Sequence, residues 1–249
     1  MHAIIKSVAT VSLSASLLLS PALAAAEAGG GLAWSVTPYV WATGTKLDLR
    51  FRDANLGGGE LSFSDALDVL DAAFMLHVEG GRGNWSAFGD LTYIKISDTT
   101  QRQLLTIDSE NKQVFFDAAL AFWPGGEGSP LSVFGGVRYT GMDDQFRFSL
   151  NGSELAAVQS DDDYVDALFG VRYRFDLNKR WSLMTHADLS FGDSEGTYLL
   201  RADFAYTVGK REQNRILIGY QHKEAEFKSG DLRTDFTFSG PQVGFNFRF

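Results

Sequence analysis

Two residues, His186 and Asp188, come nearest to a catalytic pair in this chain. In an extended segment, residues two positions apart project from the same face, so an imidazole and a carboxylate could together activate water. A general base also needs access to a substrate, and this pair lies among other charged residues. No serine is placed beside a histidine in a pattern that suggests acyl transfer. We therefore expect a structural hydrogen-bond network here, and the sequence predicts that the protein is not an enzyme.

A second cluster, Asp161, Asp162 and Asp163, offers carboxylates to a hard cation such as calcium. Asp143 and Asp144 lie across the same predicted loop. The run lacks the ligand spacing and the glycine of a dedicated calcium loop. It is therefore predicted to be a solvated acidic surface, and no metal or cofactor is expected.

The C-terminal segment indicates the kind of element that positions these side chains. Apolar residues occupy every second position there, and glycine and polar residues lie between them; the apolar set is Val243, Phe245, Phe247 and Phe249. A period of two puts the two sets on opposite faces of a strand, which suits a sheet between lipid and a wet lumen. The alternative is a half-buried edge strand of a water-soluble protein. The segment resembles the closing strand of bacterial outer-membrane barrels, which implies that the terminal Phe249 is an assembly signal.

The N-terminal segment, residues 1–26, is predicted to be a cleaved secretory signal peptide. Lys6 supplies a positive charge, a short apolar stretch follows it, and Ala22-Leu23-Ala24 is a small-x-small cleavage site. The apolar run is too short and too broken to span a bilayer, although an N-terminal membrane anchor is the alternative. The sequence thus predicts an exported protein with one domain, residues 27–249.

Composition narrows the class of protein further. The net charge of −9 makes the chain a poor candidate for binding nucleic acid. It has no cysteine, which excludes a disulfide scaffold, thiolate metal sites and a cysteine nucleophile. No later stretch approaches 18 consecutive apolar residues. The 13% aromatic content and 26 glycines favour an all-β protein.

Between residues 32 and 249 the alternation predicts about ten strands, with eight and twelve as alternatives. The fold class is therefore a closed, antiparallel, up-and-down transmembrane β-barrel. Short turns fall at one end and longer connections at the other, as in outer-membrane barrels. The first long connection is predicted to contain a helix over Ser64–Leu70, capped by Ser62 or Ser64, and strand-like pieces around Leu47–Phe51.

Two further expectations concern strand ends and the barrel seam. Residues 97–112 and 143–163 are predicted to be polar loops, the second of them acidic. Pro38 and Pro241 lie in the first and last strands, which must pair to close the barrel. Each proline removes a ladder donor, which a bulge at the seam would accommodate.

Many charged residues occupy the face opposite the apolar one. In a soluble sandwich they would be buried in the core at a high cost, whereas in a barrel they can pair inside the lumen. The predicted lumen-lining residues are His77, Glu79, Asp90, Asp117, Arg138, Asp166, Arg172, Arg174, His186, Asp188, Arg201, Asp203 and Arg248.

Several motifs together resemble a family of small, porin-like outer-membrane β-barrel proteins of proteobacteria. They cover most of the predicted mature chain and are Trp34-x-x-x-Pro38-Tyr39-x-Trp41, Gly136-x-Arg138-Tyr139, Asp166-x-x-x-Gly170-x-Arg172-Tyr173, Gly219-Tyr220 and Gly240-Pro241-x-x-Gly244-x-x-x-Arg248-Phe249. These motifs identify architecture and carry no known chemistry. The resemblance implies a bacterial outer-membrane location, lipid and lipopolysaccharide as surroundings, and passage through the barrel-assembly machinery.

The predicted function is that of a structural barrel or a narrow channel for small solutes. Ten strands lie near the size at which side chains fill a barrel. One alternative is a hydrolase, because His186 and Asp188 are similar in residue type to the sites of some ten-stranded outer-membrane proteases, which lie at the outer rim. The other alternative is a surface ligand-binding or adhesion barrel that acts through its external loops. The sequence leaves the oligomeric state open.

Overall fold

The structure is a computed structural model that describes residues 32–52, 54–102, 105–126, 128–150, 153–209, 213–229 and 231–249. The predicted signal peptide lies outside the described residues. The described chain forms twelve strands and one helix: β1 (Ala33–Trp41), β2 (Gly44–Phe51), β3 (Ala54–Leu61), α1 (Phe63–Asp68), β4 (Leu70–Arg82), β5 (Trp85–Arg102), β6 (Leu105–Phe122), β7 (Leu131–Leu150), β8 (Ser153–Asp176), β9 (Trp181–Gly192), β10 (Gly196–Val208), β11 (Asn214–Ser229) and β12 (Leu232–Arg248).

Ten of these strands close into an antiparallel barrel. Each strand from β4 to β12 pairs with the next, and β1 pairs with β4 on one side and with β12 on the other. Closure gives each strand of the ring a partner on both sides and leaves no free edge within the ring. The predicted ten-stranded barrel is confirmed.

The strand β12 is long enough to hold two partners. Its second half pairs with β1, and its first half, from Leu232 to Ser239, pairs with β2. The strand β2 therefore continues the line of β1 beyond the closed ring, and β3 pairs with it as a hairpin. This agrees with the strand-like character that the sequence assigns to Leu47–Phe51.

The seam accommodates Pro38 without a bulge. A single register runs from the pair Ser35–Arg248 to the pair Trp41–Gln242, with ladder partners missing at Thr37 and Pro38. A side chain spans this gap, because Asn246 Nδ2 donates a hydrogen bond to Thr37 Oγ1 at 2.8 Å. The seam thus tolerates a proline by replacing one backbone contact with a side-chain contact, without an extra residue.

The prediction of two polar loops is wrong, because the described residues of both regions lie in strands. The strand β5 extends to Arg102 and β6 begins at Leu105. Likewise, β7 extends to Leu150 and β8 begins at Ser153. Cross-strand charges replace apolar packing there, as where Lys95 Nζ lies 3.0 Å from Glu110 Oε2. With 18 to 24 residues, these strands exceed the roughly 9–11 residues that a tilted spanning strand needs. The β5–β6 and β7–β8 hairpins therefore project beyond the ends of the shorter strands of the barrel.

The helix α1 is confirmed in place and ends two residues earlier than predicted. Ser62 is its N-cap, and the Ser62 Oγ accepts a hydrogen bond from the Asp65 backbone N–H at 3.2 Å. It stops at Asp68 because Leu70 begins β4. Over the residues that the structure describes, no helix has the length and apolar character needed to cross a membrane.

Candidate functional site

The centre of the barrel holds a buried charge network around Arg138. Its Nε and Nη2 donate to the two carboxylate oxygens of Asp117 at 2.8 and 2.7 Å, and Nη2 lies 3.0 Å from Asp188 Oδ1. The Arg138 side chain is only 1% exposed. His186 Nε2 lies 2.6 Å from the other oxygen of Asp188. The strands β6, β7 and β9 therefore contribute to one cluster of paired charges.

A second network crosses the interior. Arg172 on β8 donates from Nη1 and Nη2 to both oxygens of Glu79 on β4, at 2.9 and 3.0 Å. Because β4 and β8 are not neighbours in the sheet, these side chains meet through the interior. On the same side, Asp90 binds His77 Nδ1 at 3.0 Å and accepts from the Tyr39 hydroxyl at 2.7 Å. The bidentate pair Arg172–Glu79 therefore links opposite walls of the barrel.

Aromatic rings pack around the guanidinium of Arg172. It lies 4.9 Å from the centroid of Phe88, 5.6 Å from that of Phe134 and 5.7 Å from that of Trp123. Gly170 makes the position of Phe134 possible, since a Cβ there would stand 2.2 Å from Phe134 Cζ. A cation and its aromatic surroundings thus occupy the same cross-section as the charge network.

The other predicted lumen residues are more scattered. Asp166 is buried but accepts from the hydroxyls of Ser190 and Ser194 and takes no part in the Arg138 network. Asp203 accepts from Gln242 and lies 3.4 Å from Arg201 Nε. Arg174 pairs with Asp176 near the short turns, and Arg248 is exposed there. That the predicted residues line a solute path stays a prediction.

Lys223 is an interior cation that sequence reasoning missed. It is 4% exposed, and its Nζ lies 3.6 Å from the centroid of the Phe115 ring. The available signal was its spacing, because Lys223 stands two positions after the buried Gln221 on β11.

Apolar clusters fill the interior on either side of the charges. One cluster consists of Phe88, Ala119, Ala121, Phe134 and Leu168. A second consists of Trp41, Met75, Phe115 and Phe238, and a third of Met142, Ala225 and Phe227. The second and third clusters lie further from the short turns. Their residues come late in the strands that begin at the short turns and early in the strands that end there. The interior is therefore occupied at successive levels.

The catalytic and cation candidates occupy very different surroundings. His186 and Asp188 are together, but Asp188 is also held by Arg138 within the filled interior. Asp161, Asp162 and Asp163 are exposed on β8, where Asp162 accepts from Ser160 and Asp163 accepts from Tyr139. Within the described ranges, no group of three or more His, Cys, Asp or Glu residues could hold a metal ion.

The outer surface of the barrel exposes more contiguous apolar area than water-soluble proteins usually do. At least half of each of the following outward side chains is exposed: Val40, Phe74, Leu120, Val137, Val165, Phe169, Leu189, Leu200, Phe204, Ile218, Tyr220 and Val243. Near the short turns, aromatic pairs such as Trp85–Phe122 and Trp181–Tyr206 form part of a girdle. Such a belt around a closed sheet with a polar interior faces lipid. The chain is an outer-membrane β-barrel.

Comparison with solved structures finds outer-membrane barrels of low sequence identity. No family model matches the chain, and no curated protein matches it. The attachment invasion locus protein Ail of Yersinia pestis, solved with the heparin analogue sucrose octasulfate, is 11% identical, with 88% of this chain and 100% of that chain covered and a TM-score of 0.39. The outer-membrane protease OmpT of Escherichia coli is 7% identical, with 88% and 97% covered and a TM-score of 0.45. The translocator domain of the autotransporter NalP of Neisseria meningitidis is 11% identical, with 90% of each chain covered and a TM-score of 0.35.

Proposed function

We propose that this protein is a structural outer-membrane barrel whose lumen is closed to solutes. The observation that carries the proposal is the almost complete burial of Arg138, which is 1% exposed between two carboxylates at the centre of the barrel. A side chain that lined an open, water-filled pore would retain accessible surface. The filled interior also favours a structural role over the narrow channel that the sequence allows.

The pattern of charge supports the same proposal. An ion-selective pore presents rings of charged side chains of one sign to the passing ion. Here the interior charges of both signs are used on one another, as in the pairs Arg138–Asp117 and Arg172–Glu79. Aromatic residues surround Arg172 and also occupy the level further from the short turns. At the level of these two pairs, the arrangement resists flow and gives no preference for an ion of either sign.

A non-enzymatic role belongs to this proposal. In the pair His186–Asp188, the carboxylate is shared with Arg138, and both Arg138 and Asp188 are buried. A general base must reach the proton that it removes, directly or through one water. His186 Nε2 is already engaged by Asp188, and Asp188 is itself held by Arg138, so the pair is better explained as support for Arg138.

A liposome-swelling assay with a small neutral sugar tests the closed lumen. Liposomes that contain the refolded barrel should swell no faster than protein-free liposomes, while liposomes that contain an open porin swell. A swelling rate that rises in proportion to the amount of barrel would overturn the proposal.

The terminal Phe249 is proposed to act in assembly rather than in stability. Its side chain is 78% exposed, while its backbone N–H donates to the Trp34 carbonyl at 2.9 Å. Phe249→Ala keeps this backbone bond and removes an exposed ring. The variant should reach the outer membrane of cells in reduced amount and refold in detergent with an unchanged denaturation midpoint.

The control for this prediction is Phe247→Ala. It removes an outward ring that is 40% exposed and lies two residues earlier on the same face of the strand. Equal outer-membrane levels of the Phe249→Ala variant and the wild type would refute the assembly role. So would a loss that Phe247→Ala reproduces in full.

A further inference from the structure

The barrel contains a cavity of about 440 Å³ at the end where the short turns lie. Its walls come from the beginnings and ends of strands, including Ser35, Thr37 and Leu217, and its inner limit is formed by His186 and Arg172. Short turns face the periplasm in outer-membrane barrels, so the cavity opens to that side. Its volume is within the roughly 300–1,000 Å³ that is usual for small-molecule sites.

Positive charge dominates the lining of this cavity. The arginines in it are Arg82, Arg172, Arg174, Arg201, Arg215 and Arg248. Among the described lining residues, the carboxylates are Glu79 and Asp203. The protein as a whole carries a net charge of −9, so this excess of positive charge is local to the cavity.

Both carboxylates are already engaged. Glu79 accepts two hydrogen bonds from Arg172 and a third from the Ser86 hydroxyl. Asp203 accepts from Gln242 and lies 3.4 Å from Arg201 Nε. Within the described residues, neither Arg215 nor Arg248 forms an ion pair. Their charges therefore remain available to a ligand.

The arginines near the mouth place like charges around one space. Arg174, Arg215 and Arg248 all line the cavity, and of these three Arg174 pairs with Asp176. Two buried donors in the wall, Arg201 Nε and Arg174 Nε, have no aligned hydrogen-bond acceptor in the described structure, although each lies near a carboxylate. Buried donors without an aligned acceptor and clustered like charges both cost free energy, which a bound anion would offset.

We propose that this cavity binds a compact soluble ligand, from the periplasmic side, that carries two or more phosphate or carboxylate groups. The guanidinium fork matches the geometry of both groups and can hold each of them through two hydrogen bonds. Arg215 and Arg248 contact the ligand near the mouth, and Arg201 contacts it at the inner end. Because the filled interior closes the cavity at that end, the ligand is held rather than passed on.

Isothermal titration of the purified, refolded barrel in neutral detergent with inorganic pyrophosphate tests the site. We expect binding at one site, weakened by added salt because the contacts are ionic. Arg215→Gln should weaken the affinity about tenfold through loss of a charge-assisted fork, and Arg215→Gln/Arg248→Gln should abolish measurable binding. The matched control is Arg147→Gln, which removes an exposed arginine from the projecting β7–β8 hairpin and should leave the affinity unchanged.

Three results would overturn the proposal. The first is the absence of binding heat for both pyrophosphate and citrate with the wild type. The second is an equal loss of affinity in the Arg147→Gln variant, which would indicate non-specific ion binding. The third is displacement of pyrophosphate by dodecyl phosphate at lower concentration, which would assign the cavity to a lipid headgroup. Arg215→Lys, which keeps the charge without the fork, tests the site if a glutamine variant fails to refold, and it should bind more weakly than the wild type.

Binding is measured here without any flux of solute. A failure of this proposal therefore leaves the closed lumen untouched, and a conducting lumen would not remove the arginine cavity.

Discussion

The variant Arg138→Ala is expected to lower the free energy of unfolding of the barrel by about 3–5 kcal/mol. Arg138 is buried, and its guanidinium satisfies Asp117 through two hydrogen bonds while it contacts Asp188. Its removal leaves both carboxylates in the interior without their main cation. The cost comes mainly from these uncompensated charges, and the lost packing of the arginine stem adds to it.

Chemical denaturation of the refolded barrel in lipid vesicles measures this effect. Arg147→Ala is the matched control, because it deletes the same side chain from an exposed position on the same strand, β7. The control should change the unfolding free energy by less than about 0.5 kcal/mol. A similar small change for Arg138→Ala would mean that the central network does not stabilise the barrel.

The second large effect is expected at Phe238, in the apolar cluster further from the short turns. Phe238 is 2% exposed, and its ring centroid lies 5.8 Å from that of Phe115 and 6.2 Å from that of Trp41. Phe238→Ala should cost about 3–5 kcal/mol, because it removes a buried ring and leaves a cavity in a closely packed interior. Phe146→Ala, on the projecting hairpin and 41% exposed, should cost far less.

The two interior levels also make a joint prediction about permeability. Either Arg138→Ala or Phe238→Ala alone leaves the other level in place, so each single variant should remain nearly impermeable. The double variant removes an obstruction at both levels and should show ion conductance well above the sum of the single variants. A double variant that folds and conducts no better than the wild type would show that other side chains close the lumen.

Local pairing was within reach of the sequence, and contacts across the barrel were not. Once the short turn after Arg82 fixes the register of β4 and β5, His77 falls opposite Asp90. The pair Arg138–Asp117 follows in the same way from the turn between β6 and β7. No alternation, however, tells that Arg172 on β8 meets Glu79 on β4, because this contact depends on how the closed sheet curves.

The extent of the strands was the other limit. Period-two alternation identifies a strand only while one face is apolar, and it fades where both faces are polar and wet. In the β5–β6 hairpin the backbone ladder continues beside charge pairs such as Lys95–Glu110, so a segment that looks like a loop is a strand. The sequence did not predict the arginine cavity for a related reason, because its arginines come from strands that are far apart in the chain.

Planar-bilayer conductance of the refolded wild-type protein tests the closed lumen most directly. The account predicts no current above that of the bare bilayer after insertion, under conditions in which an open porin of about sixteen strands conducts. The barrel is delivered to the bilayer from lipid vesicles, and recovery of folded barrel from that vesicle preparation verifies its insertion independently. Steady, stepwise conductance that appears with each insertion of the wild-type barrel would contradict the account.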